Sequence, residues 1–248
     1  MLRAFASGTV FGETYGEGAP RVIWLHGWAR SASDVAGVAH ILASRGVASI
    51  ALDLPGFAAS PLPARAGGAR YYGELISDVL REISSEPLTL VGHSFGGRVA
   101  LCIAATHPEQ VHALILSGTP LLRGAPRRVA WRFRLVRRLA GWHLLSERAL
   151  ERARQRHGSS DYRAASGQLR EIFVATVTES YEDELARWSG PTTLLWGAND
   201  SDVPFVIAQR ASELLRGTFT VRELSGVGHL SVIESPASLA DATEAAIA

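Results

Sequence analysis

Gly92-His93-Ser94-Phe95-Gly96, a serine with glycine two residues away on each side, is the segment of this chain best suited to covalent chemistry. A serine hydroxyl is a poor nucleophile at neutral pH and must be presented to a general base and to the substrate together. Its surroundings supply the means. The apolar run Leu88–Val91 before it reads as a buried strand, and the segment from Phe95 carries apolar residues at helical spacing. Ser94 therefore falls on a strand-to-helix turn, which strains the serine and uses the glycines for close approach of chain to chain. The start of the helix directs free N–H groups and a positive dipole end at an oxyanion forming on the substrate.

A base and an acid of the right kind lie far along the chain. His229, in Gly226-Val227-Gly228-His229, follows the strand-like run Phe219–Leu224 and sits in a loop able to reach across to the serine. Its ordinary pKa near 6.5 suits a group that takes and returns a proton. Asp200, in Trp196-Gly197-Ala198-Asn199-Asp200, follows the run Thr192–Trp196, and Asp202 competes with it two residues on. A carboxylate here would orient the imidazole and stabilise its charged form. Each has a bland competitor: eight histidines include surface ones, so His229 also reads as a surface residue, and Asp202 reads as solvated.

The elements that must position these groups alternate. Runs at Val22–Leu25, Val47–Leu52, Leu88–Val91, Ala113–Leu116, Thr192–Trp196 and Phe219–Leu224 have the length of buried parallel strands. Helical spacing recurs between them at Val35–Ala43, Tyr71–Ile83, Phe95–Ala105 and Val206–Leu215. The pattern predicts an α/β fold with a mostly parallel sheet flanked by helices. From Thr119 to Gly190 there is only helical patterning. That stretch reads as a helical insertion (119–190) in a core made of 1–118 and 191–248. Within it Trp131, Leu135, Leu139 and Trp142 form one stripe, with Arg127, Arg134, Arg137 and Arg138 clustered elsewhere on the circumference.

Composition bounds the function. At 248 residues the chain can hold a sizeable core. A single cysteine, Cys102, excludes an internal disulfide framework and a cysteine-based zinc site, and reads as a small buried hydrophobe. No apolar run approaches the ~20 residues of a membrane span, and the N-terminus has no secretory pattern, so a cytoplasmic protein is expected. Neither metal-ligand spacing nor a nucleotide-binding glycine loop is present, so a cofactor-free and metal-free enzyme is expected. All 25 basic side chains are Arg. Eleven of them fall between Leu121 and Gly158 against two acids, Glu147 and Glu151. In a Lys-free chain this can be composition alone. It can also be a site for carboxylate or phosphate, which the forked guanidinium suits. Nucleic acid is not expected, because the insertion offers no groove-reading element.

The whole set of motifs resembles the α/β-hydrolase superfamily over nearly the full chain. The serine turn matches the family's nucleophile elbow. Leu25-His26-Gly27-Trp28 matches its oxyanion strand end, and Asp53-Leu54-Pro55-Gly56-Phe57 its D-x-P-G turn. The order Ser94, Asp200, His229 is the family's order. The resemblance implies an α/β-hydrolase fold with a helical lid inserted after the sixth core strand. It also implies Ser94 as nucleophile, His229 as base and Asp200, in preference to Asp202, as the orienting acid. The backbone N–H groups of Trp28 and Phe95 would form the oxyanion hole, with His26 and His93 as supporting residues and Asp53 bracing its turn.

Two subfamilies are similar in detail. His26-Gly27-Trp28 with Leu54-Pro55-Gly56-Phe57 resembles the pimeloyl-acyl-carrier-protein methyl ester esterases, whose lid arginines dock an acidic carrier; His93 stands where some of them have Trp. Gly96-Gly97-Arg98-Val99-Ala100 resembles a menaquinone-pathway lyase whose matching arginine binds a substrate carboxylate, although Arg98 also reads as a solvated helix residue. The expected function is therefore a serine esterase forming an acyl-enzyme, on a small ester or an acyl group borne by an acidic carrier. Trp28, Arg98, Trp131, Arg134 and Arg138 are the candidates for contact with substrate. A lyase or carbon–carbon hydrolase using the same three residues is the alternative, and a ligand-sensing binding module is a third.

Overall fold

The structure, a computed structural model, describes residues 1–122 and 160–248. Eight strands form one sheet in the order β1-β2-β4-β3-β5-β6-β7-β8. They are β1 Leu2–Phe5, β2 Val10–Tyr15, β3 Val22–Leu25, β4 Ser49–Asp53, β5 Leu88–His93, β6 Val111–Ser117, β7 Thr192–Gly197 and β8 Phe219–Leu224. From β4 through β8 every neighbouring pair is parallel, while β1 and β2 join antiparallel to the β4 edge. All six sequence-predicted strands are present. The two at the N-terminus are additional: β1 buries only Phe5, and β2 mixes Gly12, Glu13 and Thr14 into its run, so neither has the continuous apolar signature of a strand covered on both faces.

Residues β3, β4 and β5 are buried along their whole length. Their side chains alternate between two cores, as the two-residue period of a strand requires. Val22, Trp24, Ala51, Val91, Ile115 and Leu195 face α1 (Ala36–Ser44) and the C-terminal helix Pro236–Ile247. Ile23, Leu25, Leu52, Leu90, Leu116 and Trp196 face the opposite layer, built on α2 (Ala69–Ile83) and α3 (Phe95–Thr106). Cys102 of α3 is buried in that layer.

Of the predicted insertion, residues 119–122 and 160–190 are described. The second stretch forms three helices, α4 Ser160–Ala164, α5 Gly167–Thr178 and α6 Glu182–Arg187, and no strand. Trp131, Arg134 and Arg138 lie outside the described residues. The segment is tied to α2 by charge. Arg70 donates to both oxygens of the buried Glu184 at 2.5 and 3.0 Å and to the Ser180 carbonyl at 2.7 Å. Glu179 accepts the Ala69 N–H at 2.7 Å and the Tyr181 hydroxyl at 2.8 Å. After these, α7 is Val206–Ser212, α8 Ser231–Glu234 and α9 Pro236–Ile247.

Because β3 to β8 run parallel, the loops leaving their carboxyl ends gather on one edge of the sheet. In open α/β sheets that edge is where ligands bind.

Candidate active site

Ser94 stands between β5 and α3 with φ 50° and ψ −109°, a region that costs an L-residue energy and persists only when its surroundings enforce it. The enforcement comes from the two flanking strands. Ser94 N–H donates to the Ser117 carbonyl at the end of β6 (2.9 Å), and Gly96 N–H donates to the His26 carbonyl just past β3 (3.0 Å). The chains are too close for side chains at the glycines: a Cβ on Gly92 would fall 2.4 Å from Gly97 Cα, and one on Gly96 2.1 Å from the Leu25 carbonyl oxygen.

The loops after β7 and β8 bring Asp200 and His229 together. Ala198 N–H bonds the Leu224 carbonyl and Asn199 N–H the Val227 carbonyl, each at 2.9 Å, so the two loops are laced to one another. Asp200 Oδ2 then lies 2.8 Å from His229 Nδ1, with the Asp200 side chain wholly buried and the His229 side chain 21% exposed. The other oxygen, Oδ1, accepts the N–H groups of Asp202 (3.0 Å) and Val203 (2.8 Å). Asp202 reaches His229 by charge alone and is exposed. Burial works to lower the His229 pKa, but the hydrogen bond and charge of Asp200, with smaller help from Asp202 and Asp161, outweigh it and leave the pKa above its ordinary value. The His229 ring lies 4.8 Å from that of His93, the residue before Ser94. Gly118, at φ +52°, sits against both rings; a Cβ there would come 3.0 Å from His229 Nδ1.

On the other side of Ser94 is the loop after β3. The buried His26 ring accepts the Leu54 N–H on Nε2 (2.9 Å), so its proton is on Nδ1, which donates to the Gly27 carbonyl at 2.7 Å. A trans peptide holds its C=O and N–H antiparallel, so anchoring the Gly27 carbonyl also sets the direction of the Trp28 N–H. Among the described residues, neither the Trp28 nor the Phe95 N–H has an acceptor. Ala29, next to Trp28, is held at φ 54°, and Ser94, next to Phe95, at φ 50°, so a strained non-glycine residue neighbours each of these two N–H groups. Asp53 braces the neighbouring turn, accepting the Ala32 and Ala59 N–H groups at 2.7 and 3.2 Å.

The half-buried Trp28 packs edge-on against Phe57, Phe95 and Phe173, with ring centroids 5.0, 5.6 and 5.1 Å away. Phe173, on α5, is the member of this wall that sequence reasoning missed, because it lay inside the uniformly helical pattern of the insertion. Arg98 differs from its reading as a solvated helix residue. It is half-buried, with two of its five N–H donors engaged: Nε donates to the Pro120 carbonyl (3.1 Å), Nη1 to the Thr176 carbonyl (3.3 Å), and the guanidinium lies over the Tyr181 ring. It ties α3 to both described flanks of the insertion. Among the described residues, no group of three or more His, Cys, Asp or Glu could hold a metal ion, and no helix is long and apolar enough to cross a membrane.

His26 and His93 are both held neutral, the first by burial and the second pushed down to about 3 by burial together with the charge of His229. The unfolded chain therefore binds more protons than the folded one below about pH 6.5, and the stability they contribute is lost as pH falls. His229, raised, acts in the opposite sense: its contribution is full below about 6.5 and lost as pH rises through its folded pKa. The expected result is a wild-type protein that unfolds more easily at pH 5 than at pH 7. In His93→Gln that difference shrinks by about 2 kcal/mol. Chemical denaturation at the two pH values measures it, and equal losses in both proteins would remove His93 as a contributor.

A sequence-family model described as alpha/beta hydrolase fold matches residues 20–147. The chain is 32% identical over 211 residues to the pimeloyl-[acyl-carrier protein] methyl ester esterase of Aeromonas hydrophila, covering 77% of this chain and 81% of that protein. It is 40% identical over 111 residues to the protein of the same name from Chromobacterium violaceum, covering 44% and 41%. In fold it is similar to a hydrolase from Pseudomonas aeruginosa PA01, with a TM-score of 0.74, 20% identity and coverage of 100% and 97%. The parallel sheet, the strained serine turn and the family match agree: the chain is a hydrolase belonging to the α/β-hydrolase family.

Proposed function

We propose that the protein is a carboxylic ester hydrolase working through an acyl-enzyme on Ser94. The hydrogen-bonded Asp200–His229 pair, set beside the strained Ser94 turn, is the observation that supports this most. With Nδ1 bonded to Asp200, His229 keeps Nε2 for the serine proton. Ser94 Oγ attacks the ester carbonyl as His229 takes its proton, and the Trp28 and Phe95 N–H groups receive the oxyanion. The carbonyl–oxygen bond then breaks, His229 passes the proton to the departing alcohol, and water, activated by the same imidazole, releases the acid and restores Ser94.

The named activity of the Aeromonas and Chromobacterium relatives supports a substrate of the same type, an ester of an acyl group borne on an acyl carrier protein. The segment 119–190 would act as the lid over that chain, with Trp28 and Phe173 as an apolar wall. Trp131, Arg134 and Arg138 would be its contacts with an anionic substrate or an acidic carrier.

Rapid quench of a p-nitrophenyl ester reaction, followed by mass spectrometry of the digested protein, tests the chemistry. The peptide containing Ser94 is expected to carry the acyl mass during turnover. An acyl mass found only on another residue, or none at a time when burst product has formed, would end the acyl-enzyme reading.

A further inference from the structure

The loop that carries His229 has one carboxylate on both sides of the base. Glu234, at the end of α8, turns back so that Oε2 accepts the Gly228 N–H at 2.7 Å and Oε1 the Leu230 N–H at 3.1 Å. These are the two peptide N–H groups next to His229 in the chain. At the start of α8, a helix of four residues, the Leu230 carbonyl receives the N–H groups of Ile233 and Glu234, each at 2.9 Å, so the carboxylate is delivered by a turn that begins at the residue it grips. A second tie lies one residue further: the buried Ser231 hydroxyl is hydrogen-bonded to that of Ser117, on the strand whose carbonyl holds Ser94.

Glu234 itself is exposed, and so are the bonds it makes. Water can replace them without a desolvation penalty, so they contribute little to global stability. Their geometric consequence is larger. Two charge-assisted bonds remove the rotations by which the 228–230 backbone could swing His229 away from Ser94, while Asp200 fixes only the ring. We propose that Glu234 is a positioning residue for the base: it locks the backbone on either side of His229 so that Nε2 stays aimed at Ser94. This rests on the role assigned to His229 above.

Three variants test it. Glu234→Ala is expected to lower kcat for a p-nitrophenyl ester by about tenfold to a hundredfold with KM within about twofold, the size of effect that follows a small misplacement of a reacting group. Glu234→Gln, which keeps a single acceptor oxygen, falls between. Glu234→Asp, whose carboxylate is one methylene short of its partners, behaves like the alanine variant. The melting temperature stays within a few degrees in each. Proton NMR gives a readout independent of turnover: the downfield His229 Nδ1–H signal expected from its bond to Asp200 in the wild-type protein broadens in Glu234→Ala and returns in part in Glu234→Gln.

An unchanged kcat with an unchanged signal overturns the proposal. So does a loss of rate explained wholly by a smaller folded fraction, measured by circular dichroism. If instead Ser94 proves not to be the nucleophile, turnover becomes uninformative while the imidazole signal still reports on Glu234, so the two failures are told apart.

Discussion

Ser94→Ala is expected to reduce turnover of p-nitrophenyl esters by on the order of 10⁵- to 10⁶-fold, since the residual rate would come only from binding and oxyanion stabilisation. The same position makes a second measurement possible. Its φ of 50° with ψ −109° lies in a sparsely populated region and costs on the order of 1–2 kcal/mol for a residue with a Cβ, and alanine bears that cost as serine does. Glycine does not, although its greater freedom in the unfolded chain offsets up to about 1 kcal/mol of the gain. Ser94→Gly is therefore expected to be as inactive as Ser94→Ala but more stable by about 0.5–1 kcal/mol, or about 2–3 °C in melting temperature. Equal stability of the two variants would mean that the strain at the turn is no larger than glycine's unfolded-state cost, about 1 kcal/mol. Wild-type turnover in either would remove Ser94 from the chemistry.

What was readable from the chain follows from how each element is covered. β3 and β8 have the bounds expected from their apolar runs, and β4 to β7 differ by one or two residues. The strands β3, β4 and β5 are buried on both faces, and the pattern of Val, Ile and Leu records that directly. The antiparallel edge, β1 and β2, left no such record because half of it faces solvent. At the site, the glycine spacing around Ser94 announced a close approach, which Gly96 makes to the Leu25 and His26 carbonyls at the end of β3 and Gly92 to the α3 backbone at Gly97. Choosing Asp200 over Asp202 needed the family's pattern as well as the residues; in the structure the Asp200 carboxylate contacts His229 directly. Arg98, Phe173 and Glu234 were beyond that reach. Their partners are Pro120 and Thr176, Trp28, and the backbone beside His229, and no periodicity encodes a side chain meeting a carbonyl 78 residues away.

The distinction between the two aspartates is open to a direct test. Asp200→Asn should lower kcat/KM by about 10³- to 10⁴-fold, because an amide there no longer enforces the tautomer that leaves Nε2 free. It should also move the acid limb of the pH profile. In the wild-type enzyme burial lowers the His229 pKa and Asp200 more than restores it, so activity is expected to fall away at a pH above the ordinary histidine value if His229 is the base. Without the carboxylate, burial prevails and the limb shifts to lower pH, even as the plateau drops. Asp202→Asn removes only a screened charge acting from solvent, so its limb should move slightly in the same direction while its plateau stays within about fivefold of wild type. Profiles of kcat/KM from pH 5 to 9 for the three proteins decide the matter. A plateau loss in Asp202→Asn as deep as that in Asp200→Asn would assign the orienting role to the wrong carboxylate. A limb in Asp200→Asn that moved upward would show that something other than this pair sets the charge of the base.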